Sequence, residues 1–277
     1  MVTNTQPKLG IVQGRLVPPV DGKIQAFPKR DWEREFALAR EAGFDGLEWI
    51  FDDEENPLFL EEGRRRIREL MQVNHIEIPS VSADYLMFNP IFGASKTKSV
   101  QVLKRLIEAC AELGILRITV PLEDQSELRN LSDVSDAIDS LKQCLPLAEK
   151  HTIVLATESS LPPMNFLAFM KKVDHPLFKI NYDLGNSCAS GFPTDLALRL
   201  LAPYLSGIHI KDRKQLYGET VTLGKGDTDF KSDFVTLKDV GYRGWYIIQG
   251  ARGEDHMEVA KTYLNFVRNL LSSSVHE

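Results

Sequence analysis

Four short segments end in side chains that could hold a divalent cation. Glu158 closes Ile153-Val-Leu-Ala-Thr-Glu158, and Asp183 closes Lys179-Ile-Asn-Tyr-Asp183. His209 lies within Gly207-Ile-His209-Ile-Lys-Asp212, and Gln249 closes Trp245-Tyr-Ile-Ile-Gln249. Two carboxylates, one imidazole and one amide oxygen form a hard, oxygen-rich set suited to Mn²⁺ first, with Mg²⁺, Co²⁺ and a catalytic Zn²⁺ as alternatives. Each residue alone has a plainer reading. A carboxylate after a strand often caps the next helix, and a single histidine on an apolar strand is usually a core histidine with a satisfied partner. Four donors at matching ends of successive segments argue for one cation site.

The segments that carry them belong to a period. Short apolar runs at Leu9–Gln13, Gly46–Phe51, Ile78–Ser82, Arg117–Leu122, Ile153–Thr157, Phe178–Tyr182, Gly207–Ile210 and Trp245–Gln249 read as strands. Amphipathic stretches such as Trp32–Ala42, Arg64–Val73, Lys98–Leu113, Val134–Lys150 and Val259–Leu271 repeat apolar residues at i, i+3 and i+4, as helices do. Gly43 and Gly114 stand where helix C-caps are expected. Strands alternating with helices require a parallel sheet with right-handed crossovers. Eight such units in 277 residues predict an α/β protein, a single (β/α)8 TIM barrel over residues 1–277 with its core at about 8–272. An open doubly wound sheet would carry a glycine-rich turn after its first strand, and Gln13-Gly14-Arg15 is not one. In a closed barrel, chemistry belongs at the C-terminal ends of the strands. His75, His151 and His175 precede strands and fall at the opposite mouth, His256 falls early in the last helix and His276 in the terminal tail, which leaves His209 as the histidine placed to bind a metal.

Composition narrows the classes. The chain has 33 Lys and Arg against 39 Asp and Glu, a net charge of −6, and 43% hydrophobic residues. That balance argues against nucleic acid, whose backbone is bound mainly by Lys and Arg. No apolar stretch has the roughly 20 residues of a membrane span, and Met1 to Lys8 lacks the apolar run of a signal peptide. Three cysteines, Cys110, Cys144 and Cys188, without metal-type spacing, suggest a reducing compartment. The expected protein is soluble and cytoplasmic.

Glu158, Tyr182-Asp183-Leu-Gly-Asn186, Gly207-Ile-His209-Ile-Lys-Asp212 and Gly224-Lys-Gly-Asp-Thr-Asp-Phe230 together resemble the xylose-isomerase-like sugar phosphate isomerase/epimerase superfamily. Within it, the branch of ketose 3-epimerases, pentulose-phosphate epimerases and inosose dehydratases is most similar. The resemblance implies one divalent metal held by Glu158, Asp183, His209 and Gln249. It also implies a small-molecule partner, a sugar or sugar phosphate, with proton transfer by the glutamates of the fifth and eighth strands. Barrels of this kind often pair, so a homo-oligomer is implied, although the sequence itself carries no interface signal. An endonuclease of the same superfamily would need several rim histidines for three zinc ions, and one is available.

One departure matters. Many relatives place a second glutamate where this chain has Gln249, and an amide cannot accept a proton near neutral pH. The expected reaction therefore uses one base, Glu158, acting through a metal-stabilised enediolate. A dehydratase also needs only one base, and a catalytically silent sugar-binding barrel is the remaining alternative. If a second base exists, Glu48, His75 or Lys211 with a depressed pKa are the candidates. Arg15 and Arg252 could grip an anion, or pair with neighbouring groups. Trp49 and Tyr85 could stack on a sugar face, or simply close the barrel. Glu48, Asp84, Asn186, Lys211 and Arg213 complete the expected substrate contacts, with Lys211 and Arg213 read equally well as loop charges. Asp212 is expected to orient His209 or its neighbours. The segment from Leu216 to Asp229 is a candidate lid or phosphate-gripping loop.

Overall fold

The computed structural model describes residues 7–273. The expected domain ends at 1 and 277, and most of the N-terminal segment read for a signal peptide, lie outside the described residues. Eight strands close into one parallel barrel. They are β1 (Leu9–Val12), β2 (Gly46–Ile50), β3 (Val81–Ser82), β4 (Arg117–Leu122), β5 (Val154–Ser159), β6 (Phe178–Asp183), β7 (Leu205–Ile210) and, as the eighth stave, β10 (Trp245–Ile248). Each stave pairs with its neighbour in sequence order, and β10 closes the ring on β1 with Leu9 opposite Tyr246. Between β7 and β10 the chain forms a small antiparallel pair, β8 (Asp212–Arg213) with β9 (Thr220–Val221).

The helices follow the amphipathic stretches. Predicted Trp32–Ala42 is observed with those bounds as α1, and it ends at Gly43 in the left-handed region with φ of 93°. Gly114 ends the helix Lys96–Leu113 with φ of 71°. Both glycines accept a backbone turn that costs an L side chain energy. The predicted third strand is cut to two residues, because Pro79 has no N–H to give a ladder. Among the described residues, no helix is long and apolar enough to cross a membrane.

Alternation along the staves sorts the side chains into two layers. Trp49 points outward and is fully buried beneath the helices, ringed by Phe27, Trp32 and Phe36, with its indole N–H donating to Asn56 Oδ1 at 2.9 Å. Glu48, one residue earlier, points into the barrel. The interior there is polar. Arg117 Nη2 donates to Ser80 Oγ at 2.9 Å, and Ser80 Oγ donates to Glu48 Oε1 at 2.6 Å. Gly207 makes room for this layer, since a Cβ at that position would lie 2.3 Å from Asn181 Oδ1 and 2.5 Å from Arg117 Nη1.

Candidate metal and sugar site

Three of the four expected donors meet. Glu158, Asp183 and His209 each present a ligand atom within 4.8 Å of the other two, and all three are buried. The strand ladder explains the convergence, because Asp183 on β6 stands directly across from His209 on β7. His209 is held from below: its Nε2 lies 2.7 Å from Glu48 Oε2, and its Nδ1 faces Glu158 Oε2 at 3.1 Å. Glu158 is steadied by Asn181 Nδ2, which donates to Oε2 at 2.8 Å, and by Asn186 Nδ2, which donates to Oε1 at 3.3 Å. Asp183 Oδ1 caps the short helix Leu184–Ala189 by accepting from the Asn186 N–H at 2.8 Å, while Oδ2 faces Lys211 Nζ at 2.9 Å.

The fit of a cation can be judged from unpaired atoms. Gln249 Oε1 is a buried side-chain atom without a hydrogen-bond partner, whereas Asp183 Oδ2 and His209 Nδ1 meet Lys211 and Glu158 only as ion pairs within the site. Buried polar atoms are normally satisfied, and an unpartnered amide oxygen beside two buried carboxylates and an imidazole is a donor set that a divalent cation fits. Gln249 lines the same cavity as Glu158 and Asp183, an open space of about 580 Å³ at the C-terminal mouth of the barrel.

Electrostatics agree with a carboxylate-rich pocket. Burial alone would raise the Glu158 pKa, but His209, Lys211 and the Asn181 hydrogen bond hold it well below the ordinary value. Burial also opposes charge on His209, yet Glu48 and Glu158 hold its pKa well above the usual imidazole range. Glu123, just past β4, is pushed well above its ordinary value by burial and by Glu158 beside it. Its Oε2 accepts from the Asn186 amide at 3.0 Å, the same nitrogen that reaches Glu158. Glu123 carries no role in the sequence reading, and its position one residue past the fourth strand is the signal that could have placed it at the rim. Asn181, from the middle of its strand, and Gln25, from a loop, had no sequence signal.

Several expected contacts turn elsewhere. Trp49 faces the helices and cannot reach a sugar, since Glu48 takes the inward position. Tyr85 packs on Phe51 and directs its hydroxyl to Glu54, away from the cavity. Glu48 serves His209 and Ser80 in place of a substrate. Asp84 is buried and accepts from Ser82 Oγ at 2.6 Å and Gln25 Nε2 at 2.8 Å. Burial raises its pKa to about 6 despite those bonds. Arg15 lines the cavity but donates to the carbonyls of Gly250 and Ile24, and Arg252 donates to those of Ile24, Val17 and Gly14. Their guanidinium groups brace the loops after β1 and β10, the second of the two readings the sequence offered for them. Lys211 has no depressed pKa, because Asp183, Glu123 and Glu158 outweigh its burial and raise it. Asp212 turns from His209 and accepts backbone N–H groups of Gly224 and Gly226 at 2.8 Å and of Thr228 at 3.3 Å. That carboxylate folds the Leu216–Asp229 segment, and a Cβ at Gly226 would sit 1.9 Å from Asp212 Oδ1. Asn186 and Arg213 do line the cavity, tied to each other by a 2.9 Å bond.

Residues 36–270 match the family described as xylose isomerase-like TIM barrel. The chain belongs to that family. A curated relative, the L-ribulose-5-phosphate 3-epimerase UlaE of Salmonella heidelberg (strain SL476), is 26% identical over 231 residues, covering 79% of this chain and 81% of that protein. Among solved structures, an L-ribulose 3-epimerase superposes with a TM-score of 0.78 at 18% identity, over 97% of this chain and 95% of the other. The D-allulose 3-epimerase of Methylomonas sp., in complex with D-allulose, gives 0.76 at 16% identity over 95% and 96%. At those identities the structural likeness establishes the fold.

Proposed function

We propose that this chain is a divalent-metal-dependent isomerase or epimerase of a sugar or sugar phosphate, built as one barrel domain. The observation that carries the reading is the meeting of Glu158, Asp183 and His209 at the mouth of a cavity whose wall holds the unpartnered Gln249 Oε1. The names of the relatives support it, since they are epimerases of ketoses and of a pentulose phosphate. The three buried free cysteines fit a cytoplasmic setting.

Glu158, Asp183, His209 and Gln249 would hold the ion, with Mn²⁺ favoured by two carboxylates and an amide oxygen beside one imidazole. When bound, the cation would supply Lewis-acid polarisation of substrate oxygens. Glu48 takes the Nε2 proton of His209 into a hydrogen bond and so leaves Nδ1 to face the site. Glu158 accepts the substrate proton, with Asn181 on Oε2 and the longer Asn186 bond on Oε1 holding the carboxylate in place. Glu123 follows the neighbouring strand β4 and shares the Asn186 amide, which sets the two carboxyl groups side by side. Gln249 cannot exchange a proton, which favours transfer on a single face.

The test is treatment with a chelator, re-addition of Mn²⁺, and incubation in D₂O with a panel of ketoses and their phosphate esters. Metal-dependent solvent deuterium uptake at a carbon beside the carbonyl is the expected result. Rapid two-face exchange with epimerisation at C3 would overturn the one-base mechanism, and no conversion of any sugar would overturn the function.

A further inference from the structure

The direction of a glutamine amide must be inferred from its bonds, because oxygen and nitrogen have nearly the same shape. Around Gln25 the bonds leave one choice. Arg15 Nη2 stands 3.3 Å from Gln25 Oε1, and a guanidinium can only donate. Asp84 Oδ2 stands 2.8 Å from Gln25 Nε2, and an ionised carboxylate can only accept. Both charges are themselves pinned, Arg15 by the Gly250 and Ile24 carbonyls and Asp84 by Ser82 Oγ. Gln25 therefore presents its oxygen to the next residue inward, Gln249, whose Nε2 donates to it at 2.8 Å. With that nitrogen engaged, Gln249 Oε1 is left buried and unpartnered in the cavity wall shared with Glu158 and Asp183.

We infer that Gln25 is a positioning residue that fixes the Gln249 amide with its oxygen toward the cation site, and that the barrel is built for an amide at position 249. This rests on the cation reading above. An ionised carboxylate at 249 would set oxygen against Gln25 Oε1. Turning Gln25 over to relieve it would set the Gln25 nitrogen against Arg15 and its oxygen against Asp84. Gln249 is thus a neutral ligand specified by its neighbours. The loop after β1 becomes part of the metal site without touching the ion.

Mn²⁺ titration at pH 8, read by the electron paramagnetic resonance signal of free ion, tests this without any substrate. Wild type should bind. Gln25→Ala should raise the Kd about tenfold, the usual effect of losing a group that orients a ligand, with an unchanged melting temperature because Gln25 is only half-buried in a loop. Gln249→Glu should bind more weakly than wild type in spite of its added charge. Adding Asp84→Asn should recover affinity, since an asparagine can donate to a reversed Gln25. Wild-type affinity in Gln25→Ala, or tighter binding by Gln249→Glu that Asp84→Asn leaves unchanged, would overturn the inference while leaving the cation reading in place. Failure of the wild type to bind Mn²⁺ would remove both.

Discussion

Glu48 Oε2 lies 2.7 Å from His209 Nε2, with both side chains buried inside the barrel. Burial raises the Glu48 pKa, but His209, Arg117 and Ser80 together hold it below the ordinary value. Removing one partner of such a pair leaves the other charge without compensation. Glu48→Ala should destabilise the cation-free protein by about 3 kcal/mol, read by urea denaturation. The same variant should weaken Mn²⁺ binding by about ten- to a hundredfold, because the imidazole loses the group that sets its tautomer. Unchanged stability and affinity would remove Glu48 from the site.

Glu158 is assigned the substrate proton. Glu158→Gln should lower turnover by about 10²- to 10⁴-fold, the range for losing a general base, while far-UV circular dichroism stays that of wild type. Full turnover by this variant would eliminate the assignment.

Asp233 provides a pH signature remote from the cavity. Its carboxyl group is 1% exposed, Oδ2 has no hydrogen-bond partner, and burial with Asp229 and Asp195 nearby raises its pKa from 3.8 to about 8. Between about pH 4 and pH 8 the unfolded chain releases this proton while the folded chain keeps it. Stability therefore falls as pH rises through that window, by at most about 1.4 kcal/mol per pH unit. Asp233→Asn removes the titration. The melting temperature of the variant relative to wild type should climb from pH 5 to pH 8 and then level off. A pH-independent difference would contradict the burial argument.

Gly207 faces Arg117 and Asn181 across the barrel interior, with no room for a methyl group. Gly207→Ala should cost about 1–3 kcal/mol through overpacking. It should also reduce turnover, because Asn181 makes the shorter of the two amide bonds that steady Glu158. A variant with wild-type melting and activity would mean that the interior yields more easily than its contacts imply.

Chain order and period were enough to read a closed eight-strand barrel, its helices and the end at which polar strand residues gather. These are local properties, set by apolar spacing and by glycines such as Gly43 that end helices. Glu158, Asp183 and His209 were legible for the same reason, because each closes or occupies a strand and strand ends share one rim. The aim of individual side chains was settled only by closure. Whether Trp49 or Glu48 turns inward depends on a single residue of register. Whether Arg15 and Arg252 meet an anion or a backbone carbonyl depends on loops folding over one another across more than 200 positions of sequence. Gln25 and Gln249, 224 residues apart, acquire their roles from one hydrogen bond that no local pattern could announce.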